Sequence, residues 1–156
     1  MKKVLIALDY DPTAQKVAEV GYSLSKAMKA EVILLHVVAN ASYYSSIEYS
    51  PVTGFASYID MSPFKLESAD WVKNASHQFL DKTKKHLHDD AIKTLVVEGD
   101  LAEAILKAAK SVKADIVVMG SHSRRWLEEI LIGSVTEKVL HSTSIPLFIV
   151  PTKKPK

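Results

Sequence analysis

Five short apolar runs, Lys3 to Leu8, Glu31 to Val38, Lys93 to Val97, Ile116 to Met119 and Leu147 to Val150, constrain this chain more than any other feature. Each is rich in Val, Ile or Leu and too short for a globular helix, the pattern of a strand buried on both faces of a parallel sheet. The segments between them carry helical spacing. Leu101, Ile105, Ala108, Ala109 and Val112 fall along one stripe, and Val17, Val20, Leu24 and Met28 give an inner face to a helix expected over roughly residues 13 to 29. Asp11 or Thr13 is its expected cap, with Pro12 near its first turn. Gly99 and Asp100 announce a later helix with Asp as cap, and another is expected from Gly133 or Ser134, carrying Val135, Val139 and Leu140. Parallel strands joined by crossover helices give an α/β fold: a doubly wound, open, five-stranded parallel sheet with helices on both faces.

A chain of 156 residues has the size of one domain and can bury a core without a staple. The expected domain covers residues 1 to 151, with an irregular insertion at about 40 to 66 and a short basic tail at 152 to 156. That insertion, rich in Ser and Tyr, has no clean period; it reads equally as a lid or partner surface and as an inserted loop with scattered aromatics. The absence of Cys excludes disulfides, Cys-ligated zinc and a thiol nucleophile. With 20 basic against 18 acidic residues there is no global field to draw the protein onto a nucleic acid or an anionic membrane. Asp9 and Asp11 cut the first apolar run too short for a signal segment, and no window approaches the length of a membrane span, so a soluble, cytoplasmic protein is expected.

In doubly wound sheets ligands bind beyond the carboxyl ends of the strands, where the winding reverses. The residues there are Asp9, Val37, Gly99 and Gly120. After the fourth run, Gly120, Ser121, His122, Ser123, Arg124 and Arg125 form a polar turn, and Gly133, Ser134, Val135 and Thr136 open the next helix. Unpaired amides at a helix N-terminus, glycines that let the backbone approach, hydroxyl donors and two arginines together suit a phosphate. Neither GxxxxGK[ST] nor GxGxxG can be read in this stretch.

The stretch resembles the universal stress protein family. Nucleotide-binding members of that family show Gly, two residues, Gly, nine residues, then Gly followed by Ser or Thr. Gly120, Ser123, Gly133 and Ser134 stand at those four positions, with Ser123 departing from the second Gly. The resemblance extends to Leu8-Asp9, Leu34-Leu35-His36-Val37, Glu98-Gly99 and Ile145-Pro146, nearly the whole chain. It implies the adenine nucleotide alpha hydrolase-like fold with strand order 3-2-1-4-5, and binding of ATP or another adenine nucleotide (ADP or AMP) with a divalent ion such as Mg. By the same resemblance, Ala7 and Leu8 pack beside the base, Asp9 meets the ribose, the Val37 backbone meets the adenine edge, and Met119 and Gly120 line base and ribose. Ser121, His122, Ser123, Gly133, Ser134, Val135 and Thr136 hold the phosphates, with Arg124 or Arg125 adding charge. A Ser at a positive-φ position would cost roughly 1 kcal/mol, yet its hydroxyl could also donate to an oxyanion.

The implied role is a sensor or regulator in stress adaptation. No nucleophile, general base or Walker-type lysine is visible, so at most slow, incidental ATP hydrolysis is expected. His122 has no triad partner in the sequence, and His77, His86 and His88 with Asp89 and Asp90 read as a solvated helix end, since 86 and 88 do not share a helix face. The last strand, Pro146 to Val150, is an apolar sheet edge and the expected route to a homodimer. The alternative is a dimeric interaction module with a vestigial site, which Ser123 favours.

Overall fold

The apolar runs become five strands in a computed structural model that describes residues 1–10, 12–39, 69–121 and 134–152. They are β1 (Lys3–Ala7), β2 (Glu31–Val38), β3 (Lys93–Glu98), β4 (Ile116–Gly120) and β5 (Leu147–Val150). All neighbours pair parallel, in the order β3-β2-β1-β4-β5. The described helices are α1 (Ala14–Ala27), α2 (Ala69–His86), α3 (Leu101–Val112) and α4 (Ser134–Ser142).

Period-two alternation sends successive strand residues to opposite faces, so a both-sides-apolar strand builds two cores at once. Val4, Ile6, Val32, Leu34 and Val118 meet α1 and α2 through Val17, Ala18, Phe79 and Leu80. Leu5, Ile33, Leu35, Val117 and Met119 meet α3 and α4 through Ala102, Ile105, Ala109 and Val139. The chain therefore steps from β1 to β2 to β3 with its helices on one face, crosses under α3 to β4, and continues to β5 with helices on the other. A right-handed crossover allows a change of direction only with a change of face, so the winding reverses between β1 and β4.

Helix α1 lies close on the sheet because Gly21 faces it: a Cβ there would stand 2.8 Å from Ile6 Cδ1 and 3.1 Å from Val118 Cγ1. Its ends differ from the expected 13 to 29. Thr13 makes no side-chain cap, because its backbone is helical (φ −79°, ψ −7°) rather than extended as a cap requires. Asp11, the other expected cap, lies outside the described residues. At the far end Lys29 turns left-handed (φ 53°) and stops the helix. Asp100 does cap α3: it is extended, and its carboxylate accepts from the Glu103 amide at 3.1 Å. Gly99 supplies the φ of 142° that joins β3 to that cap.

Helix α2 is docked by more than its apolar stripe. Tyr10 Oη and Ser76 Oγ are 2.7 Å apart, and Ser76 donates to the Val72 carbonyl at 2.9 Å, so Tyr10 is the donor. His86, expected in a solvated helix end, reaches back to Glu19 of α1 at 2.7 Å, and that contact, followed by one from Gln15, lowers the Glu19 pKa. Asp89 accepts from Tyr22 Oη at 2.8 Å and from the Ala91 amide at 2.9 Å.

Candidate functional site

At the carboxyl end of the sheet the central strand stops early. The β1 ladder ends at Ala7 opposite Leu35 on one side and Ile6 opposite Val118 on the other, while β2 runs on to Val38 and β4 to Gly120. A recess flanked by two longer strands opens at the point where the winding reverses, the place where an open α/β sheet takes its ligand.

The β2 wall of the recess is backbone. The last rung toward β1 is the Leu8 amide to the Leu35 carbonyl, 2.9 Å. In a parallel ladder, residues two apart turn their N–H and C=O to the same side, so those of Val37 point as those of Leu35 do, past the end of β1. The Val37 side chain is buried in the core beneath. The Leu8 carbonyl is held by His36 Nδ1 at 2.8 Å; a carbonyl can only accept, so Nδ1 carries the proton. The imidazole is buried against Tyr10, ring centroids 4.3 Å apart, and stacks on Phe79 at 5.6 Å.

On the β4 wall the exit of the strand is fastened twice. Thr136, from the first turn of α4 and 3 % exposed, donates its hydroxyl to the Gly120 carbonyl at 2.9 Å. The Ser121 amide donates to the Val150 carbonyl at 2.9 Å, and Ser121 Oγ accepts from the Thr152 amide at 3.1 Å. Helix α4 therefore starts at a fixed distance from the recess, with its first-turn amides at this end of the sheet. Nearby, Lys138 of α4 reaches Asp100 at 3.4 Å, and the Asp100 pKa is lowered first by the Glu103 amide and then by Lys138.

The structure thus brings Ala7, Leu8, Asp9, Val37, Met119, Gly120, Ser121, Val135 and Thr136 to one end of the sheet. Leu8, Val37 and Met119 are buried, Asp9 is exposed between the buried Leu8 and Tyr10, and Gly120 and Ser121 are half-buried. Two of the expected phosphate residues are committed to the frame: the hydroxyl of Thr136 and the amide of Ser121 are both used within the protein. His122, Ser123, Arg124, Arg125 and Gly133 lie outside the described residues, as does the insertion at 40 to 66; Ser134 is the first residue of α4. Sequence reasoning passed over His36 as a site residue. A lone His inside an otherwise apolar strand was the available signal.

A cavity of about 260 Å³ opens at the opposite end of the sheet, lined by Met1, Lys26, Glu31, Asp89 and Lys93 among others. Its charges are matched to one another, Lys93 to Glu31 at 3.0 Å and Lys26 to Asp89 at 3.8 Å, which leaves little to hold a ligand. Among the described residues no group of His, Asp or Glu could hold a metal ion, and no helix is long and apolar enough to cross a membrane.

Comparison with known proteins agrees with the fold. The model of the universal stress protein family matches residues 1–151. Universal stress protein MJ0577 of Methanocaldococcus jannaschii is 33% identical over 156 residues, covering 97% of this chain and 96% of that protein. Universal stress protein YxiE of Bacillus subtilis is 29% identical over 154 residues, covering 95% and 97%. Among solved structures, that of MJ0577 superposes with a TM-score of 0.73 at 30% identity over 99% of this chain and 98% of that one. A universal stress protein solved in complex with cAMP superposes with a TM-score of 0.62 over 97% and 98%, and at 18% identity it bears on the fold alone. The chain belongs to the universal stress protein family.

Proposed function

We propose that this chain binds an adenine nucleotide, ATP or its diphosphate or monophosphate, in the recess beyond β1, and acts in the cytoplasm as a nucleotide-responsive regulator of stress adaptation. The observation that carries the proposal is the early end of β1 between two longer strands at the reversal of winding. The Val37 backbone offers one donor and one acceptor side by side, which matches the N1 acceptor and N6 donor of adenine. Asp9 stands at the strand end where a ribose hydroxyl would be accepted, and the α4 N-terminus offers first-turn amides to the phosphates. A universal stress protein of the same fold holds cAMP, itself an adenine nucleotide.

With no metal-ligating cluster among the described residues, a magnesium ion would arrive on the phosphates rather than in a protein cage. We read the chain as a binding protein whose ATP hydrolysis is at most slow and incidental. Homodimerisation belongs to the same reading: β5 is a sheet edge, and Phe148 is 38 % exposed on it. Ser123, in place of the family's second motif Gly, favours a second reading in which the fold serves as an interaction module with a vestigial site. Calorimetric titration with ATP, ADP and AMP, each with and without magnesium, separates the two. Saturable heat and a raised Tm support the nucleotide reading; no heat and no thermal shift with any of the three sinks it.

A further inference from the structure

The recess depends on the β1–β2 ladder stopping where it does. Leu8 still follows the ladder, since its amide pairs with Leu35. The next rung of a parallel pair would carry the Val37 amide to the Leu8 carbonyl, closing the strands over the recess. That carbonyl is instead taken by the His36 imidazole at 2.8 Å. His36 precedes Val37 in the same strand, and its ring lies on the opposite face from the Val37 side chain, in the core formed with α1 and α2. The ring is packed there against both Tyr10 and Phe79, and Tyr10 is itself tied to Ser76 of α2.

We propose that His36 is a positioning residue for base recognition: its Nδ1–H satisfies the Leu8 carbonyl, so the Val37 N–H is left for the ligand and does not zip onto β1. The proposal rests on the adenine-nucleotide reading for its consequence and on the ladder alone for its cause. An aliphatic residue at position 36 would leave a buried carbonyl without its imidazole donor, and the amide that the ladder register would bring to it is that of Val37. Base selectivity would suffer first, since guanine presents a donor at N1 and an acceptor at O6 and so opposes the Val37 pair that adenine matches.

Two measurements on the full-length wild type, His36→Leu and His36→Asn test this, the Asn amide nitrogen standing where Nδ1 stands. Without nucleotide, amide hydrogen exchange at Val37 is expected to be fast in the wild type relative to the ladder amide of Leu8. In His36→Leu it should slow by about tenfold or more, and in His36→Asn it should stay near wild type. A Val37 amide already as protected as Leu8 in the wild type, or unchanged by His36→Leu, overturns the proposal. With nucleotide, the ratio of ATP to GTP affinity should fall by about tenfold in His36→Leu and be largely restored in His36→Asn. Equal loss of both nucleotides in both variants would make His36 a plain core residue and overturn it as well. Should the wild type bind neither nucleotide, the functional reading fails, and the exchange data still decide whether His36 holds the ladder open.

Discussion

The two ends of the sheet handle the same problem, loose backbone and charge at strand termini, in opposite ways. At the amino end main-chain and side-chain groups close on one another. The Lys3 amide donates to Asp115 at 2.8 Å, the Asp115 amide returns to the Lys3 carbonyl at 2.8 Å, and Lys3 Nζ reaches the Val112 carbonyl at 3.2 Å. Glu31 pairs with Lys93, and Asp89 is shared by Tyr22, Lys26 and the Ala91 amide. At the carboxyl end side chains take the places that the ladder would have filled: His36 on the Leu8 carbonyl, Thr136 on the Gly120 carbonyl. The amino end is built to be finished; the carboxyl end is built to remain open. A doubly wound sheet can in this way close one rim for stability and leave the other open, without either disturbing the strands between them.

The largest effect is expected beneath both rims. Gly21→Val forces atoms into Ile6 and Val118, which lie on β1 and β4, and should destabilise by about 2–3 kcal/mol, read as a lower denaturant midpoint at unchanged m-value. A neutral result would mean that α1 does not press on the sheet as described. Next comes Thr136→Val at the open rim. Losing a buried hydroxyl that satisfies Gly120 should cost about 1–2 kcal/mol, and the nucleotide Kd should rise several-fold as the start of α4 loosens from β4. Asp115→Ala at the closed rim should lower Tm and leave the nucleotide Kd unchanged; a matching loss of affinity would erase the distinction between the ends.

Smallest is the pH dependence, since the groups concerned are only half-buried and stay within reach of solvent. Asp115 is held below its ordinary 3.8 first by the Lys3 amide, and Asp89 first by Tyr22. A carboxylate depressed in the fold stabilises above its unfolded value and loses that contribution as pH falls through the folded one. Tm should therefore fall below about pH 4. Tyr22 is raised above its ordinary 10.0 first by Asp89, so its contribution persists below that pH and is lost as pH rises through the folded value. Asp89→Asn should flatten both limbs of the Tm profile slightly, and unchanged limbs would remove Asp89 from the account.

Much of this was legible from residues in order along the chain. Val-rich runs gave strands to within a residue or so, the Gly99-Asp100 pair announced a capped α3, and Gly120 marked the end of β4. Thr13 misled because a cap needs an extended backbone as well as a hydroxyl, and only coordinates supply the former. The contacts that shape the recess were illegible for a different reason. His36 to Leu8 spans 28 residues and Thr136 to Gly120 spans 16, so each exists only once neighbouring strands or a helix start are placed side by side. His86 likewise reads as a solvated helix end until α1 lies beside it with Glu19. The family resemblance named residues that, where described, stand at the carboxyl rim, such as Asp9, Val37 and Gly120; it did not say that Thr136 and Ser121 hold the frame.

Backbone amide NMR of the full chain during titration with ATP and magnesium tests the central claim most directly. The account predicts shifts concentrated at Leu8, Asp9, Val37, Gly120 and Ser121, with Lys3, Ala91, Lys93 and Asp115 unmoved. Shifts gathered instead at the amino end, or no shifts at saturating nucleotide, would contradict it.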